Sequence, residues 1–447
     1  MLGSILLSRG GLLYPEAHAF IPHYLSDRSL AEKIFDPRGT DFGMYQAREL
    51  SYFFDYVDCR FIAACVRSNL PHFLSLSHYG FACLTAVLLW HFARRQVRLP
   101  SPLAGLVVLL FLSSPMVMLG GSFFRSSKIG CAASLLAVVI CLGALWSSAR
   151  HRPSSLLLLA LSFALLAMGT FDRQGFFFAL VVCMLQAGRV IVIRRTGEFV
   201  VLTVCLGVTA MLMAYDFWWA PYFIRHFNGY APSLEFQRMH LFDIIHDSQA
   251  ALRLFFYGPQ LAFKYAGLLL GGMSWPLVAA AATALVWRFG PAWRWPANDS
   301  AHSRNWIKRL WWMAALLSLS GMTALMSLHL SPVLLPELCI VYYGLPCAAA
   351  VAVFLALALG ALRQSSFRHW SLVVIGVLLL ANILSLPSHR AVMRQGYFQW
   401  TYDNSPSLLQ TIRNDAKFVP VAESQSVEMS GQSEQALETV RYLRGLK

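Results

Sequence analysis

The chain has 447 residues, 57% of them apolar and only 13% charged, with a mean hydropathy of +0.54 and a formal net charge of +14. Charged residues are about half as frequent as in a soluble domain, which excludes water-soluble, disordered, collagenous and coiled-coil architectures. The basic balance reads as positively charged loops on one side of a membrane rather than as a nucleic-acid surface.

The expected fold is all-α, a polytopic membrane bundle of about ten to eleven transmembrane helices, because lipid cannot satisfy open backbone groups. Met1–Tyr14 is apolar but short, and Arg9 interrupts it. It reads as an incomplete first span rather than a signal peptide. Segment 15–74 follows as a long polar loop. Ten apolar runs of spanning length come next, at 75–93, 102–122, 129–146, 154–171, 175–193, 198–219, 261–286, 310–330, 338–361 and 369–387. Pro115, Pro276 and Pro346 fall within runs and are expected to kink them.

Basic clusters at Arg94–Arg98, Arg150–Arg152, Arg189–Arg195, Arg288–Arg309 and Arg363–Arg368 mark the cytoplasmic loops. The loop 15–74, the turns near 122–128 and 172–174, the second long loop 216–260, the loop near 329–337 and the polar tail 388–447 then face outward. Residues 1–387 form one transmembrane unit, and the tail ends in a short helix over about Ser433–Leu446. Arginine outnumbers lysine, as in a GC-rich bacterial genome, which makes the membrane a bacterial inner membrane and the outward side periplasmic. Most of the nine Cys lie in apolar runs, and none forms a Cys-x-x-Cys pair, so neither a disulfide framework nor a zinc site is expected.

Four outward segments carry polar chemistry. In the first loop, Pro37 and Gly39 make a turn, and Thr40 or Asp41 is placed to cap a following helix. On that helix Tyr45, Glu49 and Tyr52 would share a face. Leu50, Phe53, Phe54 and Val57 would lie on the membrane surface. Asp41 is either a cap or a general base for an incoming hydroxyl. Arg48 and Glu49 read as solvated or paired, and Asp55 and Asp58 as a polar face. The turn Phe123-Phe-Arg-Ser-Ser-Lys128 carries two cations, Arg125 and Lys128, spaced to point the same way at a helix start. They suit a phosphate or snorkel to the interface. The tight turn at Asp172, Arg173 and Gln174 reads as an internal ion pair or as a second anion contact. In the second long loop, His240, Asp243, His246 and Asp247 lack a specific metal-ligand pattern. They read as the polar face of an interfacial helix. Trp218, Trp219, Tyr222 and Tyr230 read as belt aromatics. No P-loop, Gly-x-Ser-x-Gly or His-Glu-x-x-His motif is present.

Asp41-Phe-Gly-Met-Tyr45-Gln-Ala47-Arg48-Glu49 resembles the early outward-loop motif of the GT-C superfamily, the integral-membrane glycosyltransferases that use polyprenyl-phosphate sugars. It is similar above all to the protein mannosyltransferase and aminoarabinose transferase subgroup. The resemblance implies that Asp41 is the catalytic base, with Glu49 beside it. It places Tyr45, Arg48, Arg125, Lys128, Asp172, Arg173 and Gln174 around the substrate. The implied partners are a polyprenyl-phosphate-linked sugar, membrane lipids and a lipid, glycan or protein acceptor, without nucleic acid. No cofactor is implied, and a divalent metal is left open. Phe42 stands where many relatives carry a second carboxylate, and no large soluble C-terminal domain follows. A flippase for lipid-linked glycans and a non-catalytic envelope scaffold are the alternative readings.

Overall fold

The computed structural model describes residues 17–40, 45, 48–68, 75–114, 117–118, 125–147, 153–232, 344–362, 370–393, 439 and 441–445. Every regular element among them is helical, as the composition requires. Short helices α1 (Ala17–Leu25), α2 (Leu30–Ile34) and α3 (Pro37–Thr40) lead to α4 (Glu49–Arg67). Then come α5 (Leu76–His91), extended by a π-turn over Phe92–Gln96, α6 (Ser101–Leu112), α7 (Ser127–Ser147), α8 (Ser155–Phe171) and α9 (Arg173–Ile193). Helix α10 (Thr196–Ala214) runs through a π-turn at Tyr215–Trp219 into α11 (Ala220–Asn228), and α12 (Leu345–Leu362) and α13 (Trp370–Met393) complete the described helices. Four of these, Leu76–Gln96, Ser127–Ser147, Arg173–Ile191 and Thr196–Asn228, are long and apolar enough to cross a membrane.

Three expectations shift. In the run 102–122 the first helix ends at Leu112, with Ser113 as its C-cap, and Pro115 lies outside the described residues. Pro346 occupies the first turn of α12, where a missing N–H costs nothing. Helix α13 runs through Pro387 to Met393, six residues into the segment read as a polar tail. The expected spans at 261–286 and 310–330 lie outside the described residues.

Helix α7 is the most enclosed of the four long apolar helices and packs against α5, α8 and α12. Its first turns carry Gly130, Cys131, Ala132, Ala133 and Ser134, all buried. Small residues let neighbouring backbones approach, which is how helices associate when lipid competes for apolar contact. A Cβ on Gly130 would meet the Phe171 ring at 2.4 Å. That ring closes a triangle with Phe54 (5.8 Å, stacked) and Phe81 (4.8 Å, edge-on), while Phe54 and Phe81 meet at 4.9 Å. Aromatic contacts of this kind add about 0.5–1.5 kcal/mol each beyond buried area. They fix α4, α5 and α8 together one residue from Asp172.

Helix α4 is amphipathic, with its polar side turned inward. Phe53, Val57 and Phe61, four residues apart, are exposed, whereas Asp55, Asp58 and Ser51 are buried. The exposed stripe fits a helix lying on the membrane surface. The buried carboxylates hold the starts of two neighbouring helices. Asp58 accepts from the Ser75 and Ser77 hydroxyls (both 2.6 Å) and from Ser77 N–H (2.9 Å) at the start of α5. Asp55 accepts from Ser126 N–H (3.2 Å) ahead of α7. Negative charge at a helix N-terminus satisfies orphan N–H groups and complements the helix dipole. Asp55 and Asp58 therefore organise the bundle, which reading them as a polar face missed.

The first loop is also clasped to the far end of α10–α11. Asp36 accepts from Arg28 (2.6 Å) and from the Tyr230 phenol (2.8 Å), and Arg38 lies over the Tyr230 ring at 3.6 Å. Asn228 donates to the Phe35 carbonyl at 2.7 Å. Tyr230 is thus a clasp residue rather than a belt aromatic, while Trp218, Trp219 and Tyr222 are exposed. Near the C-terminus, Leu443 is buried against Phe20, Tyr24 and Ile62, and its carbonyl accepts from Arg67 at 3.2 Å.

Helices α8 and α9 are joined by Asp172 alone, in extended conformation. A Cβ on Gly175 would stand 1.9 Å from the Met168 carbonyl oxygen, whereas one on Gly188, in the same helix, would meet nothing within 4 Å. A backbone oxygen cannot rotate away. Gly175→Ala is therefore expected to lower the melting temperature of the detergent-purified protein by several degrees, with Gly188→Ala unchanged. Equal melting temperatures for the two variants would contradict the one-residue turn.

Candidate functional site

The one-residue turn carries the centre of the site. Asp172 is fully buried. Its Oδ1 caps α9 by accepting from Gln174 N–H at 3.0 Å. Its Oδ2 accepts from Lys128 Nζ at 2.6 Å and from Arg48 Nε at 3.0 Å. One carboxylate thus collects donors from the start of α7, the residue before α4 and the first turn of α9. Burial alone would raise the pKa of Asp172, but Lys128 and Arg48 outweigh it and hold the carboxyl well below its usual range.

Arg173, one residue on, is buried and feels the charges of Asp216 and Asp172. Asp216 lies in the π-turn that ends α10. A π-turn inserts a residue and shifts the helical register, a device common at functional sites. Here Asp216 turns inward while Trp218 and Trp219 stay exposed. The Tyr45 hydroxyl donates to Asp216 at 3.3 Å. The Tyr45 and Tyr215 phenols also bond the Glu49 carboxyl, and Asp216 acts on it through space. Burial pushes the Glu49 carboxyl up to about 8, with the Asp216 charge adding to the rise. At neutral pH Glu49 is therefore mostly protonated.

A neighbouring set surrounds Asp55. Ser51 and Ser126 bond its carboxyl at 3.3 Å each, and Arg125 acts on it electrostatically. Burial pushes Asp55 up to about 7, against the pull of Arg125. The Arg125 guanidinium lies over the Phe20 ring at 4.2 Å.

The structure brings Tyr45, Arg48, Glu49, Lys128, Asp172, Arg173 and Gln174 to one end of the bundle, as the sequence reading grouped them. Two local readings change. Tyr45, Glu49 and Tyr52 do not form one helical face. Helix α4 starts at Glu49, and Tyr52 joins the Phe20–Tyr24 cluster instead. Arg125 and Lys128 do not act as a parallel pair, because Arg125 precedes α7 and turns towards Phe20 and Asp55 while Lys128 reaches Asp172. Of the two readings of Arg48 and Glu49, solvated or paired, Arg48 takes the second, in its ion pair with Asp172, and both side chains are buried. Asp41 lies outside the described residues, as do His240, Asp243, His246 and Asp247. Among the described residues no three His, Cys, Asp or Glu side chains gather as a metal site would require.

Asp216 and Tyr215 were overlooked. The signal was present: an acid near the end of the apolar run 198–219, just before Phe217-Trp218-Trp219, is costly in a membrane unless it has an inward partner.

Two outcomes follow. Asp172→Asn leaves Lys128 and Arg48 buried beside a neutral amide, a loss of about 3–5 kcal/mol by comparison with other broken buried pairs. Little monodisperse protein should be recovered from detergent, and the added change Lys128→Met should restore part of the yield; wild-type recovery of the single variant would contradict the pairing. The second concerns pH. Glu49 and Asp55 titrate near 8 and 7 when folded, against ordinary values near 4, so between those limits the folded protein holds more protons than the unfolded chain. Stability therefore falls as pH rises from about 5 to about 8.5. Glu49→Gln should flatten that decline in melting temperature, and an unchanged slope would contradict the protonated, buried Glu49.

No protein-family model and no curated protein sequence matches the chain. Among solved structures, the chain is similar to the crystal structure of ArnT from Cupriavidus metallidurans bound to undecaprenyl phosphate. The TM-score is 0.49 and the identity 14%, with 100% of this chain and 74% of that chain covered.

Proposed function

We propose that the chain is a membrane glycosyltransferase that moves a sugar from a polyprenyl-phosphate donor to an acceptor hydroxyl, on the periplasmic side of a bacterial inner membrane. The observation that carries this reading is the buried charge around Asp172. Arg48, Lys128 and Arg173 gather there at the end of an apolar bundle. With Glu49 protonated, these cations outnumber Asp172 by two, and by one even with Asp216 counted as ionised. A surplus of one positive charge matches the single negative charge of a glycosyl phosphodiester. Membrane helices around the site suit a lipid-borne donor, and guanidinium groups suit phosphate oxygens. The positive-inside pattern of the loops supports the outward assignment of this end.

In this reading the acceptor oxygen attacks the anomeric carbon. The new bond is acceptor oxygen to carbon, and the bond that breaks joins that carbon to the phosphate oxygen. The acceptor's proton passes to a carboxylate base, the role that the motif resemblance gives to Asp41. The leaving polyprenyl phosphate gains negative charge as the bond breaks. Arg173 and Lys128, fixed in advance by buried partners, stabilise that charge with little reorganisation.

Purified protein in detergent, given a polyprenyl-phosphate sugar and acceptor lipids or glycans, should consume donor without a membrane potential. Arg173→Ala should slow consumption about 10²-fold or more, and Asp41→Asn by at least tenfold. Consumption by Arg173→Ala at the wild-type rate would overturn the phosphate assignment. Movement of a lipid-linked glycan across sealed vesicles with no donor consumed in detergent would favour the flippase instead.

A further inference from the structure

The clasp between the first loop and α11 is centred on Asp36, which is buried. Its Oδ1 accepts from the Tyr230 phenol at 2.8 Å and from the Arg38 N–H at 3.2 Å, and its Oδ2 accepts from Arg28 at 2.6 Å. The Tyr230 oxygen in turn accepts from the same Arg38 N–H at 3.2 Å. Burial acts to raise the pKa of the Asp36 carboxyl, but the bonds from Arg28 and Tyr230 outweigh it and hold it below its usual range. Asp36 is therefore ionised at neutral pH, and its bond to the phenol is charge-assisted. Asn228, at the end of α11, adds bonds to the carbonyls of Glu32 (3.2 Å) and Phe35 (2.7 Å).

The same stretch is held a second time by apolar contact. Phe35 lies against the rings of Phe223 and Phe227, with centroids 5.2 and 5.8 Å away. With Tyr215 and Tyr230 it packs against a buried cluster of Tyr45, Ala220 and Ile224. The chain leaves this cluster at Phe35 and is back in it at Tyr45.

Asp41 falls between these two anchors. It follows Thr40, the last residue of α3, and the start of α3 is held by Asp36. Its Cα is one peptide step, about 3.8 Å, from that of Thr40 and no more than about 15 Å from that of Tyr45. Tyr45 donates to Asp216, which acts on Arg173 through space. One end of the stretch is therefore fixed at the clasp and the other at the site. A segment held at both ends has less freedom to lose when it engages a substrate. The cation cluster is built separately, on the bonds of Asp172 to Lys128 and Arg48.

We propose that Tyr230 and Asp36 are positioning residues for the proton-accepting step: their clasp holds the stretch that carries Asp41 against α11, and it acts on turnover rather than on capture of the phosphate. This assignment rests on the glycosyltransferase reading and adds to it what sets the base in place.

Tyr230→Phe tests it, because that change deletes the phenol oxygen and keeps the ring under Arg38, at 3.6 Å, and against the Tyr45 cluster. The full-length variant in detergent is compared with wild type in three measurements. These are turnover of a polyprenyl phosphohexose or phosphopentose, whichever wild type consumes, affinity for a polyprenyl phosphate, and amide hydrogen exchange. The kcat should fall about tenfold or more, while affinity for the polyprenyl phosphate stays within about twofold of wild type. Exchange should quicken over residues 36–45 and not over 172–176. Should Tyr230→Phe not fold, Asn228→Ala, which removes the two carbonyl contacts, should give the same split. An unchanged kcat overturns the placement, as does a fall in kcat matched by an equal loss of phosphate affinity, which is what a general loss of structure would give. Unchanged exchange over residues 36–45 overturns it too. In each of these cases a wild type that turns over donor leaves the glycosyltransferase reading standing. A wild type that consumes neither donor overturns that reading, and the placement with it.

Discussion

The buried carboxylate of Asp172 is the interaction on which the site depends. It accepts from Lys128, Arg48 and the backbone of Gln174 within 3.0 Å. Taking ions out of water costs several kcal/mol apiece, and a close pair regains only about 4 kcal/mol at the effective dielectric of a protein. Such a cluster is not an economical way to hold three elements together. An apolar ring triangle, such as the one formed by Phe54, Phe81 and Phe171, does that without charge. The persistence of cations at Asp172 is better understood as preorganisation. Side chains already desolvated and oriented give a strong field to an incoming anion and need not move when its charge grows.

Each supporting feature has a local cause in the chain. Gly175 allows the backbone of α9 to lie on the Met168 carbonyl, so one residue suffices to join α8 to α9, and that residue is Asp172. Gly130 leaves room for the Phe171 ring, which brings the first turn of α7, with Lys128, towards the same point. Helix α4 lies across these ends with Asp55 and Asp58 turned inward to meet the starts of α7 and α5, and the same orientation brings Arg48 and Glu49 to the centre. The π-turn after α10 turns Asp216 inward while its tryptophans remain outside. The clasp of Asp36, Tyr230 and Asn228 then ties the first loop to α11 on the far side of the site.

Much of this was legible in the sequence, because the membrane imposes strong constraints. Composition alone implied an all-α bundle, and hydropathy located most of the described helices within a few residues. Loop charge grouped Arg125, Lys128 and Asp172–Gln174 on one side. What remained illegible was direction. Arg125 and Lys128 have suitable spacing for a shared face, but the helix starts between them, and only packing decides that one goes to Phe20 and the other to Asp172. Asp55 and Asp58 looked like the wet side of an interfacial helix because amphipathicity does not say which face meets protein and which meets lipid. Asp216 was passed over because a π-turn, unlike a regular helix, leaves no periodic trace.

The central claim is that the cations at Asp172 form a preorganised phosphate site, and an experimental structure of the full-length protein with a polyprenyl phosphate bound tests it most directly. The account predicts phosphate oxygens within hydrogen-bond distance of Arg173 and Lys128, with the Asp172 bonds to Lys128 and Arg48 retained. A phosphate bound elsewhere on the bundle, with Arg173 and Lys128 turned away from it, would contradict it.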